Sequence, residues 1–178
     1  MPIYAVIDVG TNSVKFHIAE RLEGGSWRTI VDRAEVTRLG EGLQDTGEIA
    51  PAAMERTVEA IGAMVDEARV HGATSVVAVG TAGLRIARNS EAFLARVREQ
   101  CGIDVEVIPG EEEGRLAYLA VKAGLGLAEG RLVIFDTGGG STQFTFGRGT
   151  SSRRLNSSAI ASRAAASCSG VIGPPRPN

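Results

Sequence analysis

The sequence predicts an α/β fold, built on a mixed five-stranded sheet with flanking helices and followed by the first hairpin of a second such domain. Three observations support this. Strand-like segments open the chain, helical and strand-like patterns then alternate, and the opening hairpin pattern recurs late in the sequence. Antiparallel strands followed by alternating strands and helices are typical of a mixed sheet.

The first three strands are predicted from apolar and β-branched runs that lie between turn signals. Residues 4–8 form a buried strand pattern, 14–19 a returning strand after the turn at 10–13, and 27–39 a third strand after Gly24-Gly25. Strands joined by short turns pair in antiparallel fashion. An antiparallel group of three strands is therefore expected to open the chain.

Helices and strands alternate over residues 51–125. Strands are expected at 75–79 and 105–108, and helices from Pro51, Ser90 and Glu111. Each helix carries apolar residues at helical spacing, which predicts the face that packs on the sheet. The predicted inward-facing residues are Met54, Val58, Ile61, Val65 and Ala68 in the first helix, Leu94, Val97 and Cys101 in the second, and Leu116, Leu119 and Ala123 in the third.

A repeat predicts where the second domain begins. Residues 132–135 and 143–146 form a strand pair around the segment DTGGGST, and Asp8, Gly10, Ser13 and Phe16 recur there at identical spacing as Asp136, Gly138, Ser141 and Phe144. A duplicated two-lobed fold would place two such hairpins on opposite sides of a cleft. The sequence is therefore divided into a first domain over 1–128 and the start of a second over 129–147.

The remaining residues, 148–178, have a different composition. They contain five arginines and no acidic residue, although the net charge of the whole chain is −2. Apolar periodicity is lost, which predicts a Ser/Arg/Ala-rich tail that is disordered or loosely attached. The abrupt change at Arg148 also suggests that the second domain is truncated, for instance by a frameshift that sequencing the coding DNA would detect.

Composition narrows the classes of function. Aromatic residues make up 4% of the chain, too few for an aromatic nucleic-acid platform, so no specific nucleic acid is expected as partner. No signal peptide or membrane-length apolar run is found, which predicts a cytoplasmic protein without a membrane partner. Cys101 and Cys168 are far apart and outside any zinc motif, so both are expected to be free thiols.

Two glycine-containing turns are the strongest functional signal. Glycine allows the backbone to approach a phosphate closely, and neighbouring hydroxyl and amide groups add donors. Strand-end Asp8 and Asp136 can hold Mg²⁺ or Mn²⁺ against phosphate charge. An ordinary Gly-rich hairpin is the alternative for each turn. The predicted phosphate-binding residues are Gly10, Thr11, Asn12 and Ser13 in the first turn and Gly138, Gly139, Gly140, Ser141 and Thr142 in the second.

Two further segments carry candidate residues. In GTAGLRIARN, Thr81 is either a phosphate donor or a strand-end residue, and Arg85 either grips phosphate or pairs with Glu91 at the surface. In GEEEGR, three glutamates at a helix start are favoured by the helix dipole alone. One that faced the cleft could instead polarise an attacking water.

Together these segments resemble the exopolyphosphatase / guanosine-pentaphosphate phosphohydrolase (Ppx/GppA) family over about residues 4–147. The resemblance implies an actin-like ATPase / ribonuclease H-like fold and Mg²⁺-assisted hydrolysis of a terminal phosphoanhydride, in polyphosphate or guanosine pentaphosphate. The motifs, in family order, are DVGTNS, RLGEGL, GTAGLRIARN, GEEEGRLAYLAV and FDTGGGST.

The resemblance also assigns roles. It implies that Glu113 is the catalytic base, with Glu112 beside it, and that Arg85 contacts phosphate. Gln143 stands where the family usually has glutamate, which is expected to weaken metal binding. A catalytically silent phosphate- or nucleotide-binding module remains the alternative, and a homodimer stays open. An actin-like ATPase or sugar kinase is disfavoured, since no adenosine-binding segment follows the second turn.

Overall fold

The computed structural model describes residues 1–126, 131–137, 142–148 and 151–156. They form two compact units. The first unit contains Met1–Glu113, and the second contains, among the described residues, 114–126 and three later strands.

The first unit is built on the mixed five-stranded sheet that the sequence predicts. Its spatial order is β3-β2-β1-β4-β5. β1 pairs antiparallel with β2 and parallel with β4, so the sheet changes from antiparallel to parallel at β1. The strands are β1 Ile3–Val9, β2 Ser13–Arg21, β3 Trp27–Val36, β4 Ser75–Gly80 and β5 Val105–Val107.

Five helices accompany the strands, of which three were predicted. The two that the sequence did not reveal have four and five residues, too short to show a helical repeat. Both lie in segments that approach the turn between β1 and β2. The helices are α1 Leu43–Thr46, α2 Pro51–Val70, α3 Ala82–Ile86, α4 Ser90–Cys101 and α5 Gly110–Leu125.

The core of the first unit lies between one face of the sheet and the helices α2 and α4. Alternate residues of β1 and β2 point into it, and the predicted face of α2 is buried along its length. Phe93 and Val97 of α4 are fully buried, whereas Leu94 is only partly so. Burying each large apolar side chain contributes about 1.5–3 kcal/mol, so this layer holds the parallel strands in register.

Cys101 lies at the end of α4 and is a free, buried thiol, as predicted. Its Sγ donates to the Val58 carbonyl oxygen at 3.5 Å. Burial raises the pKa of the thiol, and the Asp66 carboxylate raises it further against the opposing effect of Arg69. Cys101 therefore stays protonated at neutral pH and serves the packing of α4 on α2. Cys168 lies outside the described residues.

The predicted inward face of α5 is wrong. Leu116 and Leu119 are 41% and 37% exposed, and Ala123 is exposed as well. The buried residues of the helix are Gly114 and Tyr118, one turn apart. Apolar residues occur on more than one side of α5, so helical spacing alone selected the wrong stripe.

The second unit contains an antiparallel sheet of β6 Arg131–Thr137, β7 Thr142–Arg148 and β8 Ser151–Asn156. The first two strands form the predicted hairpin, with the Phe135 and Phe144 rings 5.0 Å apart between centroids. Its register repeats that of the first hairpin: Asp136 lies opposite Gln143 as Asp8 lies opposite Lys15. The repeat seen in the sequence therefore extends to strand pairing.

The third strand, β8, corrects the expectation of a disordered tail for Ser151–Asn156. These residues pair with β7 over its length. Strand pairing satisfies backbone donors and acceptors, and it therefore needs no apolar periodicity of the kind the sequence lacks here. The rest of the predicted tail lies outside the described residues. The proposed division at 128 stays a prediction.

In the described part of the chain, no helix combines the length and apolar character that crossing a bilayer requires.

Candidate functional site

The candidate site of the first unit lies at one edge of its sheet. The strands β1, β4 and β5 are parallel neighbours, so the segments that follow them emerge at the same edge. These segments begin with Gly10, Thr81 and Ile108. In open α/β sheets, ligands bind outside the carboxyl ends of the strands. Parallel pairing thus brings three separate motifs of the sequence together.

The first predicted phosphate turn joins β1 to β2. The Gly10 amide donates to the Ser13 carbonyl oxygen at 3.1 Å, and a Cβ on Gly10 would lie 2.8 Å from that oxygen. Glycine is therefore required to close the turn. Thr11, Asn12 and Ser13 form its tip, with Asn12 exposed and the other two half-buried. Hydroxyl and amide side chains therefore lie at the sheet edge, and their role in binding phosphate stays a prediction.

The GTAGLR segment packs directly on this turn. The Thr81 amide and hydroxyl lie 3.4 Å and 3.5 Å from the Val9 carbonyl oxygen. A Cβ on Gly83 would come within 3.0 Å of Thr11 Oγ1, so glycine at this position allows α3 to touch the turn. Thr81 is buried beside the turn, which accommodates both of the roles that the sequence left open for it.

Arg85 and Glu113, both predicted as catalytic, form an ion pair. Arg85 Nη2 lies 2.8 Å from Glu113 Oε2, and Arg85 Nη1 donates to the Ile108 carbonyl oxygen at 2.9 Å. The two side chains are 22% and 19% exposed, so water screens the pair less than it would at the surface. The pair joins α3 to the start of α5. The alternative, a surface pair between Arg85 and Glu91, is not the arrangement observed.

Glu112 precedes Glu113 in the first turn of α5 and is half-buried. The backbone amide of Glu113 donates to the Pro109 carbonyl oxygen at 3.0 Å, which fixes the helix start just after β5. Helix geometry explains why acidic residues are favoured here. Glu113 forms the ion pair with Arg85 described above.

Asp8 lies near the end of β1 and faces a cation that the sequence analysis did not single out. Lys15 is directly opposite it on β2, with Nζ 3.5 Å from Asp8 Oδ2. The signal was present in the sequence, because residues facing each other across a tight hairpin are fixed by the turn length. Lys15 thus adds a positive charge beside the first turn, and this charge would offset the negative charge of a phosphate bound there.

The residues of the second turn are described only in part. Asp136 is exposed near the end of β6, and Thr142 begins β7. Gly138, Gly139, Gly140 and Ser141 lie outside the described residues. Their predicted role in binding phosphate stays a prediction.

A metal site beside the first turn would depend on Asp8. Across the ranges that the structure describes, no three His, Cys, Asp or Glu side chains cluster at metal-binding distance. Mg²⁺ commonly uses one or two carboxylates and completes its shell with water and substrate phosphates. Asp8 fits such a site only with phosphate bound alongside.

Comparison with known proteins gives a consistent answer. A model of the Ppx/GppA phosphatase family matches residues 18–162. A curated guanosine-5'-triphosphate,3'-diphosphate pyrophosphatase of Photobacterium profundum is 36% identical over 88% of this chain and 31% of its own length. Exopolyphosphatase 1 of Mycobacterium leprae is 32% identical over 80% of this chain and 42% of its own.

Solved structures agree with the predicted fold. The Aquifex aeolicus Ppx/GppA family member superimposes with a TM-score of 0.77 at 35% identity, covering 92% of this chain and 54% of that one. The first unit therefore has the predicted actin-like ATPase / ribonuclease H-like architecture. The chain spans 31% and 42% of the length of these two curated relatives.

Proposed function

We propose that this chain takes part in hydrolysing the terminal phosphoanhydride bond of a polyanionic substrate. The basis is that the chain belongs to the Ppx/GppA phosphatase family. The substrate class is inorganic polyphosphate or guanosine pentaphosphate, because relatives on both sides of that division match the chain. The proposal concerns the edge of the first unit formed by the first turn, Thr81, Arg85 and Glu113.

The Arg85–Glu113 ion pair is the observation that carries the proposal. A carboxylate held in place by a guanidinium has a defined orientation, which a group accepting a proton from attacking water needs. Arginine also provides planar, bidentate donors for phosphate oxygens. In the proposed reaction, Glu113 accepts the water proton and Arg85 stabilises negative charge on the transferred phosphoryl group. Glu112 is placed next to the base and adds negative charge at the helix start.

The phosphate chain is proposed to lie against the first turn. Thr11, Asn12 and Ser13 provide donors, Thr81 lies beside them, and Lys15 offsets charge. Asp8 is the proposed Mg²⁺ or Mn²⁺ ligand in this unit, and Asp136 is its proposed counterpart in the repeated hairpin. When bound with substrate, the metal would offset phosphate charge. The absence of a second acid at Gln143 predicts weak metal binding without substrate.

The test is phosphate release from long-chain polyphosphate and from guanosine pentaphosphate, each with and without Mg²⁺. We expect release from at least one substrate, dependent on Mg²⁺. A Glu113→Ala variant should release phosphate about 100-fold more slowly or worse, as for loss of a general base. Two results count against the proposal: no release from either substrate, which favours a silent phosphate-binding module, and release that Glu113→Ala leaves unchanged, which removes Glu113 from the reaction.

A further inference from the structure

The sequence motif RLGEGL lies outside the site formed by the first turn, Thr81, Arg85 and Glu113. The segment RLGEGL, Arg38 to Leu43, lies between β3 and α1 and is here called the RLG loop. Its backbone is bound to the first turn at two points: the Arg38 amide donates to the Asn12 carbonyl oxygen at 2.9 Å, and the Gly40 amide to that of Thr11 at 2.8 Å. The RLG loop is therefore a wall of the first turn.

The contact is close enough to restrict the residue type at Gly40. A Cβ at this position would overlap Thr11 Cγ2 and come within 3.3 Å of the Thr11 carbonyl oxygen. Only glycine lets the two backbones meet without displacing Thr11. The RLG loop is thus shaped to fit the proposed phosphate turn.

Arg38 occupies an unusual backbone conformation. Its φ is 51°, in the left-handed region, and every other described residue with positive φ is glycine. A non-glycine residue is strained in this region, because its Cβ crowds the following carbonyl oxygen. Glycine or asparagine would relieve the strain, so the arginine side chain is retained at a cost in stability.

The charge of Arg38 is not neutralised by its neighbours. Its side chain is exposed and makes no hydrogen bond or ion pair with any residue that the structure describes. The nearest acid in the RLG loop, Glu41, is bound instead by Arg56, whose Nη2 lies 2.9 Å from Glu41 Oε2. The same guanidinium donates to the Thr37 carbonyl oxygen at 3.2 Å and 3.3 Å. Arg56 thereby fixes the loop on both sides of Arg38 and occupies the acid of the RLG loop.

The connection between β3 and α2 is also fixed at its other end, between α1 and α2. Asn89 forms two hydrogen bonds with the backbone of Ile49, at 2.8 Å and 3.0 Å, and Arg88 donates to the Thr46 carbonyl oxygen at 2.9 Å. Both belong to the GTAGLRIARN segment that carries Arg85. The loop that presents Arg38 is therefore held in place before any ligand binds, which lowers the entropic cost of binding.

We propose that Arg38 is a phosphate-binding residue, which contacts a phosphate of the substrate next to the one held by the first turn. This inference rests on the proposed function, since it takes a chain of linked phosphates as the ligand. A guanidinium on a fixed backbone beside the proposed phosphate turn, with no partner among the described residues, offers charge-assisted, bidentate hydrogen bonds. The strain at Arg38 is then the cost of placing that side chain.

The test measures affinity and stability together. Calorimetric titration with tripolyphosphate and urea unfolding are compared for the 178-residue chain and its Arg38→Gly variant. Glycine relieves the left-handed strain, so stability should be unchanged or higher. Loss of one charge-assisted contact should weaken tripolyphosphate binding about 10- to 100-fold and reduce its salt dependence. A merely structural arginine would not produce these opposite changes.

Two further variants complete the design. Arg38→Lys keeps the charge without the planar fork and should recover part of the affinity. Arg96→Ala removes an exposed arginine of α4 and controls for net charge; its affinity should match that of the unsubstituted chain. Equal affinity of Arg38→Gly and the unsubstituted chain would overturn the role of Arg38 alone. Absence of tripolyphosphate binding by the unsubstituted chain would overturn both this inference and the proposed function.

Discussion

At the scale of single residues, the site depends on glycines that allow close approach. Gly10 closes the first turn, Gly83 brings α3 against Thr11, and Gly40 brings the RLG loop against the same residue. A Cβ on Gly10 would meet the Ser13 carbonyl oxygen, whereas a Cβ on Gly83 or Gly40 would meet Thr11. The turn is therefore closely packed by neighbouring segments, and backbone hydrogen bonds hold it in one conformation.

Gly40→Ala tests this close approach. The added methyl group must displace Thr11 or the RLG loop, so we expect a loss of about 1–3 kcal/mol in the free energy of unfolding and weaker tripolyphosphate binding. Urea unfolding and calorimetric titration measure the two effects.

The matched control is Gly62→Ala. Gly62 lies inside α2, where a Cβ would be 3.7 Å from Cys101 Sγ, an ordinary contact. Alanine is favoured over glycine in a helix, so this variant should gain about 0.5–1 kcal/mol. If Gly40→Ala were as stable as Gly62→Ala, the RLG loop would not be fitted to the turn as described.

Candidate residues were identifiable from the sequence where a motif isolates them, and their catalytic roles stay predictions. Arg85 and Glu113 were selected as partners in catalysis, and the structure places them 2.8 Å apart. Their direct ion pair could not be predicted, because α3 is too short to show periodicity and its direction sets where Arg85 points. Lys15 was missed because its role comes from its position opposite Asp8 rather than from a motif of its own.

At the scale of elements, the connection between β3 and α2 is held by the segment between α3 and α4. Asn89 bridges to both backbone groups of Ile49, and Arg88 reaches the Thr46 carbonyl oxygen and Glu48. These contacts explain why the end of GTAGLRIARN is polar although its start is apolar. The connection between β3 and α2 is thus fixed by the same segment that carries Arg85, although the two are far apart in the sequence.

Asn89→Ala should therefore affect stability and phosphate binding together. It leaves the part-buried Ile49 amide and carbonyl without their partners, at a cost of about 1–3 kcal/mol, and it loosens the end of the connection between β3 and α2, which begins with the RLG loop. Urea unfolding and tripolyphosphate titration would show both losses. Asn89→Asp keeps the acceptor for the Ile49 amide but not the donor, so it should be intermediate. Binding unchanged in Asn89→Ala would separate this anchor from the ligand site.

The prediction of elements was accurate where the pattern was long. α2 shows five apolar positions on one face, and all five are buried. α5 has apolar residues on several sides, and the stripe chosen from spacing is exposed. β8 has no apolar pattern, yet its backbone pairs with β7. Periodicity reports the face that a helix buries only when one face is distinctly apolar.

At the scale of the whole molecule, the repeat seen in the sequence is also a structural repeat. The two hairpins share their register, with Asp8 and Asp136 each opposite the corresponding residue of the returning strand. The pair of residues differs, since Lys15 faces Asp8 whereas Gln143 faces Asp136. The two turns therefore carry unlike charge, and the cation is associated with the first.

The mixed sheet was predictable at this scale because the relative direction of two strands follows from the type of connection between them. Short turns gave the antiparallel pairs, and helical crossovers gave the parallel ones. The meeting of the first turn, GTAGLR and GEEEGR at one edge follows from parallel pairing, although each motif was found separately. The RLG loop joins them through backbone hydrogen bonds, for which residue type gives no signal.

Glu113 is proposed to activate the attacking water beside the phosphate site. It is not proposed to add to the affinity of that site for phosphate. The most direct measurement compares Glu113→Gln with the unsubstituted chain in phosphate release from polyphosphate and in tripolyphosphate binding. Release should fall by about 100- to 10,000-fold, while binding should be equal or tighter, because a negative charge is removed near a polyanion and Arg85 is released from its ion pair. Release at an equal rate, or loss of binding together with release, would contradict the account.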